Sequence, residues 1–184
     1  EGFAEEIALL RRLRESRTRP ARDEKILAEW NGFALQAFSE AAFILDEPLY
    51  LQTAENLAEY LEAAHTWLDG AGLRRVSRLP LKREIEGGQG FLEDYAALGL
   101  GFLALHQLSL DERWLALAEA LANSILTLFS DGASPGFFQT ARDSEQLIVR
   151  RKESTDSVIP SGNSMAHFLL WRLGLVTGNE AWQK

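Results

Sequence analysis

Three groups of polar residues could carry chemistry, and each stands directly before or at the start of an apolar stretch of helical character. The first group leads from Arg17 to Trp30-Asn31-Gly32, the second is Glu93-Asp94-Tyr95, and the third joins Asp156 to Pro160-Ser161-Gly162-Asn163-Ser164. Aromatic faces stack on sugar rings, while amides and carboxylates hydrogen-bond to hydroxyl groups. This mixture favours a polyhydroxylated ligand.

Two carboxylates can act as acid and base in glycoside cleavage, so the acidic residues of the second and third groups are candidates for catalysis. The candidate catalytic residues are Asp94, Glu93 and Asp156. A carboxylate at a helix N-terminus is stabilised as the anion, which lowers its pKa, so we expect Asp94 to act as a base or a binder. Glu93 is the alternative acid if it is buried, and the sequence identifies no firmer general acid.

Candidate substrate-binding residues carry the charged, aromatic, amide and hydroxyl groups of the same segments. They are Arg22, Asp23, Lys25, Trp30, Asn31, Tyr95, Ser161 and Asn163. The alternative interpretation of all three groups is helix capping, because Asp, Asn and Ser accept hydrogen bonds from the free amides of a first helical turn. Capping requires one such residue per helix, whereas each group has further aromatic, amide or glycine features. Both interpretations stay open at this point.

The remaining polar residues indicate no further chemistry. His65, His106 and His167 lie at a helix end or within apolar stretches, so we interpret them as core or surface residues. No grouping of His, Asp and Glu has metal-ligand spacing, so we expect no metal site and no cofactor. Basic residues of the long connections either bind an anionic group or form a solvated loop face. They are Arg74, Arg75, Arg78, Lys82, Arg83, Arg150, Arg151 and Lys152.

Helical hairpins are predicted to hold the polar groups in place. Apolar residues recur at helical spacing in two neighbouring stretches, and the intervening Asp46-Glu47-Pro48 provides a capping residue and a proline suited to a first helical turn. The pattern occurs three times, over residues 33–61, 96–128 and 164–182. A further helical pattern from Phe3 to Leu13 indicates the second helix of a preceding hairpin.

The three hairpins alternate with long connections that contain short strand-like pieces, at 73–76 and 136–140. If the hairpins pack side by side, all the short turns lie at one end, and the long connections lie at the other end with the three polar groups. The sequence therefore predicts a single all-α domain over residues 1–184. Its expected fold is an incomplete (α/α) toroid of helical hairpins with a cavity at the long-connection end.

Composition narrows the choice of partners. The chain has 184 residues, of which 46% are hydrophobic, and a formal charge of −8, so we expect a globular domain with no attraction to phosphate backbones or anionic lipid. We therefore expect no nucleic-acid partner and no membrane association. Cysteine is absent, which excludes disulfides and thiol catalysis within these residues. The cytoplasm is the default expectation.

Several motifs, in this combination and order, resemble one known family. They are Arg19-Pro20 with Arg22-Asp23 and Lys25, Trp30-Asn31-Gly32, Leu92-Glu93-Asp94-Tyr95-Ala96, Gly136-Phe137-Phe138 with Thr140, and Asp156 followed by Pro160-Ser161-Gly162-Asn163-Ser164. They resemble the helical portion of thioredoxin-domain-containing proteins of the spermatogenesis-associated protein 20 type. The resemblance implies a longer parent chain whose thioredoxin-like domain is a partner, and a toroid similar to six-hairpin glycosidases and N-acylglucosamine 2-epimerases.

Two functions follow as expectations. The first is a carbohydrate-active toroid that binds or converts a small sugar by acid and base chemistry. The second is a non-catalytic scaffold, in which the polar residues tie helix ends together and the toroid supports the thioredoxin-like domain. The apolar sides of the terminal hairpins are also expected to favour self-association.

Overall fold

The computed structural model of the chain describes residues 3–66, 72–79, 88–145 and 148–183. The helices are α1 (Ala4–Glu15), α2 (Ala28–Leu45), α3 (Pro48–His65), α4 (Leu92–Ser109), α5 (Glu112–Leu128) and α6 (Gly162–Thr177), followed by a 3₁₀ helix (Glu180–Gln183). Two strands, β1 (Ile26–Leu27) and β2 (Val76–Ser77), pair antiparallel. The first two predicted hairpins are confirmed as α2–α3 and α4–α5, and in the range of the third, α6 is followed by the 3₁₀ helix. Of the basic residues considered for anion binding, Lys82 and Arg83 lie outside the described residues.

Short turns join α2 to α3 and α4 to α5 in the same way. Asp46 and Leu110 follow the first helix of each hairpin in the left-handed region, with φ of 49° and 58°. The next residue is acidic, and the side chains of Glu47 and Asp111 each accept a hydrogen bond from the amide two residues later. The chain thus reverses direction within two residues, which makes the helices of each hairpin antiparallel neighbours.

The first helices of the two hairpins, α2 and α4, pack closely and run parallel. Gly32 lies against Ala97 and Leu35 against Gly101, so the contacts ascend along both helices in the same direction. A Cβ atom at Gly32 would lie 2.6 Å from the carbonyl carbon of Ala97. Only a residue without a side chain fits here, and this close approach brings the starts of α2 and α4 together.

The helix α6 packs against the opposite side of α4. Leu169 lies over Gly99, and Gly162 at the start of α6 lies beside the amide of Glu93 at the start of α4. Because α4 is covered by α2, α5 and α6, every residue from Asp94 to His106 is buried. The three parallel helices therefore begin at the same end of the molecule.

The two ends of the chain differ in their contact with the core, since α1 is exposed whereas Trp182 in the 3₁₀ helix packs against the core. The helix α1 has no buried residue, so its place as the second helix of a preceding hairpin stays a prediction. The helix α6 ends before Gly178, which adopts φ of 69°, and the 3₁₀ helix follows. Within the described ranges, no helix combines the length and hydropathy that a bilayer span requires.

The predicted strand-like pieces of the long connections pair over two residues at most. In the first connection, Val76–Ser77 pairs with Ile26–Leu27, and Arg74 makes a single bridge with Gln89. In the second connection, Phe137 makes a single bridge. The pairing of β2 with β1 holds the first long connection against the residues that lead into α2.

Replacing Gly32 with alanine is expected to destabilise the protein, because the added methyl group would collide with main-chain atoms of Ala97 and Leu98 at 2.6–2.7 Å. Overpacking of this kind costs about 1–3 kcal/mol. Gly132→Ala is the matched control, since no heavy atom lies within 4 Å of its Cβ position. Thermal unfolding of both variants measures the difference, and equal stabilities would contradict the close packing of α2 on α4.

Candidate functional site

A buried carboxylate, that of Asp94, joins three segments at the long-connection end. One of its oxygens accepts a hydrogen bond from the amide of Glu29 at 3.1 Å. The other accepts from the amide of Phe91 at 2.8 Å and from Nη1 of Arg75 at 2.9 Å. The side chain is fully buried. Asp94 therefore fastens the start of α2 and the first long connection to the start of α4.

The pKa of Asp94 differs from the expectation based on its helix position. Burial raises this pKa, and Arg75 and the two amides oppose the rise without reversing it. The expectation of a lowered pKa is therefore wrong in direction. It considered the helix dipole and left out the desolvation of a fully buried carboxylate.

Arg75 connects the buried carboxylate to the surface of the molecule. Its Nη1 atom lies 2.9 Å from Asp94 and 3.8 Å from Glu93, and its guanidinium carbon lies 4.5 Å from the ring centre of Phe91. Its main chain is held as well, because its carbonyl oxygen accepts from the amide of Ala28 at 2.9 Å. Among the basic residues of the long connections, Arg75 thus belongs to the polar group at the start of α4.

Glu29 is a second buried acid, and the sequence analysis missed it. It lies in the first turn of α2 and is 6% exposed. Desolvation raises its pKa to about 7, and the charges of Asp94 and Glu93 add to this rise while Arg75 opposes it. Glu29 is therefore about half protonated near neutral pH, which is the state that a general acid requires.

One sequence signal pointed towards Glu29. It directly precedes Trp30-Asn31-Gly32, the motif that opens the first predicted helix. A first-turn glutamate is normally explained as a favourable charge at the helix N-terminus, so its burial against two other acids was not expected.

Glu93 lies at the edge of this buried group. Its side chain is 15% exposed, and one carboxylate oxygen accepts a hydrogen bond from Nε2 of Gln139 at 3.1 Å. The carbonyl oxygen of Gln139 in turn accepts from the amide of Leu92 at 3.0 Å. Both long connections therefore meet at the start of α4.

A cleft of about 410 Å³ opens beside Arg75, whose guanidinium contacts the carboxylates of Glu93 and Asp94. Its lining includes three of the predicted binding residues, Asp23, Lys25 and Trp30, together with Arg75. Trp30 is 64% exposed, and Lys25 forms an ion pair with Asp23 at 3.2 Å. The cleft has the volume of a small-ligand site and combines an aromatic face with charged groups.

Three other predicted binding residues make contacts within the fold. The exposed side chain of Arg22 pairs with Glu24 at 2.6 Å, and the amide nitrogen of Asn31 donates to the carbonyl oxygen of Leu27 at 2.8 Å. Tyr95 is fully buried, and its hydroxyl accepts from the amide of Leu73 at 2.9 Å. Burial raises the pKa of Tyr95 to about 12. The structure does not place these three side chains in the lining of the cleft.

The third polar group holds the start of α6. Asp156 accepts from the amide of Ser161 at 2.8 Å and from the hydroxyl of Ser164 at 2.7 Å, and these hydrogen bonds lower its pKa. The side chain of Asn163 accepts a hydrogen bond from the amide of Phe137 at 2.7 Å and donates one to the carbonyl oxygen of Phe137 at 2.9 Å. Capping and loop anchoring account for the contacts of this group, and the structure does not bring it into the cleft with Trp30.

The three histidines also make contacts within the fold, and each has its Nδ1 atom close to a main-chain carbonyl oxygen. The Nδ1 atoms of His106 and His167 lie 3.0 Å and 2.8 Å from the carbonyl oxygens of Asp111 and Asn163. His65 is fully buried. Within the described residues, no group of three or more His, Asp and Glu side chains could hold a metal ion.

Sequence comparison connects the chain to named relatives, although no protein-family model matches it. Spermatogenesis-associated protein 20 of Rattus norvegicus is 31% identical over 174 residues, and that of Homo sapiens is 30% identical over 174 residues. Both alignments cover 92% of this chain and 22% of the relative. The chain is homologous to a segment of spermatogenesis-associated protein 20. This confirms the resemblance of the motifs, and the chain spans about a fifth of the length of these relatives.

Structural comparison confirms the predicted fold. A GH76 α-mannanase of Bacteroides thetaiotaomicron matches with a TM-score of 0.67 at 10% identity, over 91% of this chain and 40% of the enzyme. Cellobiose 2-epimerase of Bacillus thermoamylovorans matches with a TM-score of 0.65 at 12% identity, over 86% of this chain and 42% of the enzyme. Both are (α/α) toroids, so the chain has the fold of part of such a toroid, of the six-hairpin glycosidase type.

A third matching structure contains a bound sugar. An inactive variant of the α-1,6-mannanase of Salegentibacter, in which two consecutive aspartates are replaced by asparagine, was solved in complex with α-1,6-mannotriose. It matches with a TM-score of 0.63 at 14% identity, over 96% of this chain and 48% of the enzyme. The fold found in this chain thus occurs in carbohydrate-processing enzymes.

Glu29→Gln is expected to change the pH dependence of stability. The folded protein keeps the Glu29 proton up to about pH 7, whereas an unfolded glutamate releases it near pH 4.5, so this group makes the protein less stable as the pH rises between these values. The variant lacks this loss and should gain about 2–3 kcal/mol relative to the unchanged protein between pH 4.5 and pH 8.

Thermal unfolding across this pH range measures the effect of Glu29→Gln. Glu55→Gln on the exposed face of α3 is the control, and its stability should follow that of the unchanged protein at every pH. A Glu29→Gln curve parallel to the control would show that Glu29 has no raised pKa.

Proposed function

We propose that the cleft binds a small carbohydrate and that the acids beside it transfer protons to and from the bound sugar. One observation carries the proposal: an exposed tryptophan and a charged pair line a cleft of about 410 Å³, and Arg75 connects this cleft to buried acids. Sugar sites combine an aromatic surface with groups that hydrogen-bond to hydroxyls, and sugar conversion requires a proton donor and a proton acceptor.

The binding surface consists of Trp30, Asp23 and Lys25. The exposed face of Trp30 provides the apolar surface on which a pyranose ring stacks. Asp23 accepts and Lys25 donates hydrogen bonds, so their ion pair at 3.2 Å can open to hold two neighbouring hydroxyl groups of a sugar. Because both side chains are exposed, their mutual attraction is weak and little is lost when they exchange partners.

The proposed acid is Glu29, and the proposed base is Glu93. Glu29 holds a proton near neutral pH because it is buried beside two other acids. Glu93 faces Arg75 and Gln139, which stabilise its negative charge. Asp94 has both oxygens engaged by Arg75 and two main-chain amides, so we assign it the role of holding Arg75 and the start of α2 in position.

The structural neighbours support a carbohydrate ligand by analogy of fold. They include mannanases, a cellobiose 2-epimerase and a D-mannose isomerase. In the inactive Salegentibacter mannanase, two consecutive acids are replaced, and Glu93-Asp94 is a pair of consecutive acids at the start of an inner helix here.

A second candidate function is a non-catalytic scaffold that supports a thioredoxin-like domain of the parent chain. It is favoured by the hydrogen bonds of Asp94, Asp156 and Asn163, which all connect helix starts to loops. On this proposal, the polar groups at the long-connection end stabilise the toroid and need no ligand.

Trp30→Ala in the complete protein is expected to weaken sugar binding at least tenfold, because the stacking surface is lost. A thermal-shift screen against mono- and oligosaccharides identifies a ligand, and isothermal titration then measures its affinity. Trp171→Ala is the matched control, since Trp171 is also exposed (51%) but lies on α6 and does not line the cleft. Equal affinities of the two variants would contradict the proposed cleft.

Sugar binding and the turnover measured in Glu29→Gln separate the two candidate functions. If the site is catalytic, Glu29→Gln abolishes turnover of the identified sugar and leaves its binding within a few-fold. On the scaffold proposal, no sugar binds or is turned over. Asp94→Asn lowers the melting temperature on either proposal, because the fully buried carboxylate that pairs with Arg75 and two main-chain amides is lost. Sugar turnover that persists in Glu29→Gln would overturn the assignment of Glu29 as the acid.

A further inference from the structure

A buried chain of hydrogen bonds connects α3 to the first long connection. His65, the last residue of α3, has its Nδ1 atom 2.8 Å from the carbonyl oxygen of Arg74 and its Nε2 atom 2.8 Å from the hydroxyl oxygen of Ser77. The hydroxyl oxygen of Ser77 lies 2.8 Å from that of Tyr60, which is also on α3. Both ends of the segment 74–77 are therefore attached to this outer helix.

The direction of each hydrogen bond follows from the groups involved. A carbonyl oxygen can only accept, so Nδ1 of His65 carries the proton and Nε2 is the acceptor. Ser77 therefore donates its hydroxyl to Nε2 and accepts from the hydroxyl of Tyr60. Burial lowers the pKa of His65, which favours this neutral form. The three side chains thus have one consistent arrangement of donors and acceptors.

Arg75 lies inside the segment that these side chains hold. On one side, the amide of Arg74 donates to the carbonyl oxygen of His65 at 2.8 Å. On the other side, Ser77 is in β2, which pairs with β1 over two residues only. A ladder of this length is marginal alone. The main chain of Arg75 also bonds through its carbonyl oxygen to the amide of Ala28 at 2.9 Å and through its amide to the carbonyl oxygen of Gly88 at 3.2 Å. The contacts with α3 add to these bonds at both ends of the segment from which the Arg75 side chain extends.

We propose that His65, Ser77 and Tyr60 are positioning residues that hold Arg75 against the carboxylates of Glu93 and Asp94. None of the three is among the described residues that line the cleft, whereas Arg75, in the segment that they hold, does line it. The inference rests on the site of the proposed function, and it concerns how the charge balance of that site is maintained.

The test measures the proton affinity of Glu29 without any ligand. Glu29→Gln is made in the unchanged protein and in each positioning variant, and the stabilities with and without it are subtracted. This difference falls as the pH rises and levels off at the pKa of Glu29. Arg75 opposes the rise of this pKa, so the release of Arg75 raises it further. Ser77→Ala and His65→Gln should each move the levelling-off point upward by about half a pH unit or more.

His106→Gln is the matched control. His106 is also buried, and its Nδ1 atom also bonds to a main-chain carbonyl oxygen, but it lies near the other end of α4. This variant should lower the melting temperature and leave the levelling-off point unchanged. A merely structural role of His65 or Ser77 would give the same result as this control, and that outcome would overturn the proposal.

Tyr60→Phe keeps the proposal testable if the other variants fail to fold. It removes one hydroxyl from the end of the hydrogen-bond chain and should move the levelling-off point in the same direction by a smaller amount. An unmoved point in a folded Tyr60→Phe protein would then reject the positioning role. Because no sugar is added, a negative sugar screen contradicts the proposed function and leaves this measurement valid.

Discussion

The burial of Asp94 is the constraint on which the arrangement of the long-connection end depends. A carboxylate with no exposed surface is stable only when hydrogen-bond donors replace the water it has lost. Its donors come from three segments, at Glu29, Phe91 and Arg75. The carboxylate therefore fixes the start of α2, the start of α4 and the first long connection relative to one another, and the neighbouring cleft is built on this junction.

The same junction produces an imbalance of charge. Glu29, Glu93 and Asp94 lie close together, and Arg75 is the basic residue that faces the latter two. Asp94 has Arg75 and two main-chain amides as donors, whereas the desolvation of Glu29 raises its pKa to about 7. The raised pKa of Glu29 therefore comes mainly from desolvation, with the charges of Asp94 and Glu93 adding to it and that of Arg75 opposing it. The proposed acid and the junction that holds the fold together depend on the same packing of α2 against α4.

Close packing of the inner helices makes this junction possible. Gly32, Gly99 and Gly162 are positions at which a Cβ atom would meet a neighbouring helix, at 2.4–3.2 Å. They bring α2 and α6 near enough to α4 for the three helix starts to share loops and hydrogen bonds. The outer helix α3 lies farther from the junction but also supports it, because His65 and Tyr60 bond to the segment that carries Arg75.

Local pattern was sufficient to predict the helices, their hairpins and the toroid. Apolar spacing in α2 and α5 and the acidic residues of the turns after Asp46 and Leu110 act over a few residues, so they can be read directly from the sequence. The motif Trp30-Asn31-Gly32 also indicated the place of the cleft, because a helix start beside a long connection is recognisable locally.

Burial and pairing across the fold decided the roles of the polar residues. Asp94 and Asp156 both precede or open a helix and look alike in the sequence, yet burial raises the pKa of the first and hydrogen bonds lower that of the second. Glu29 became a candidate acid only because α2 packs against α4 and excludes water from its side chain. Local sequence determines which residues can form a helix or a cap, whereas desolvation and charge depend on neighbours that are distant in the chain.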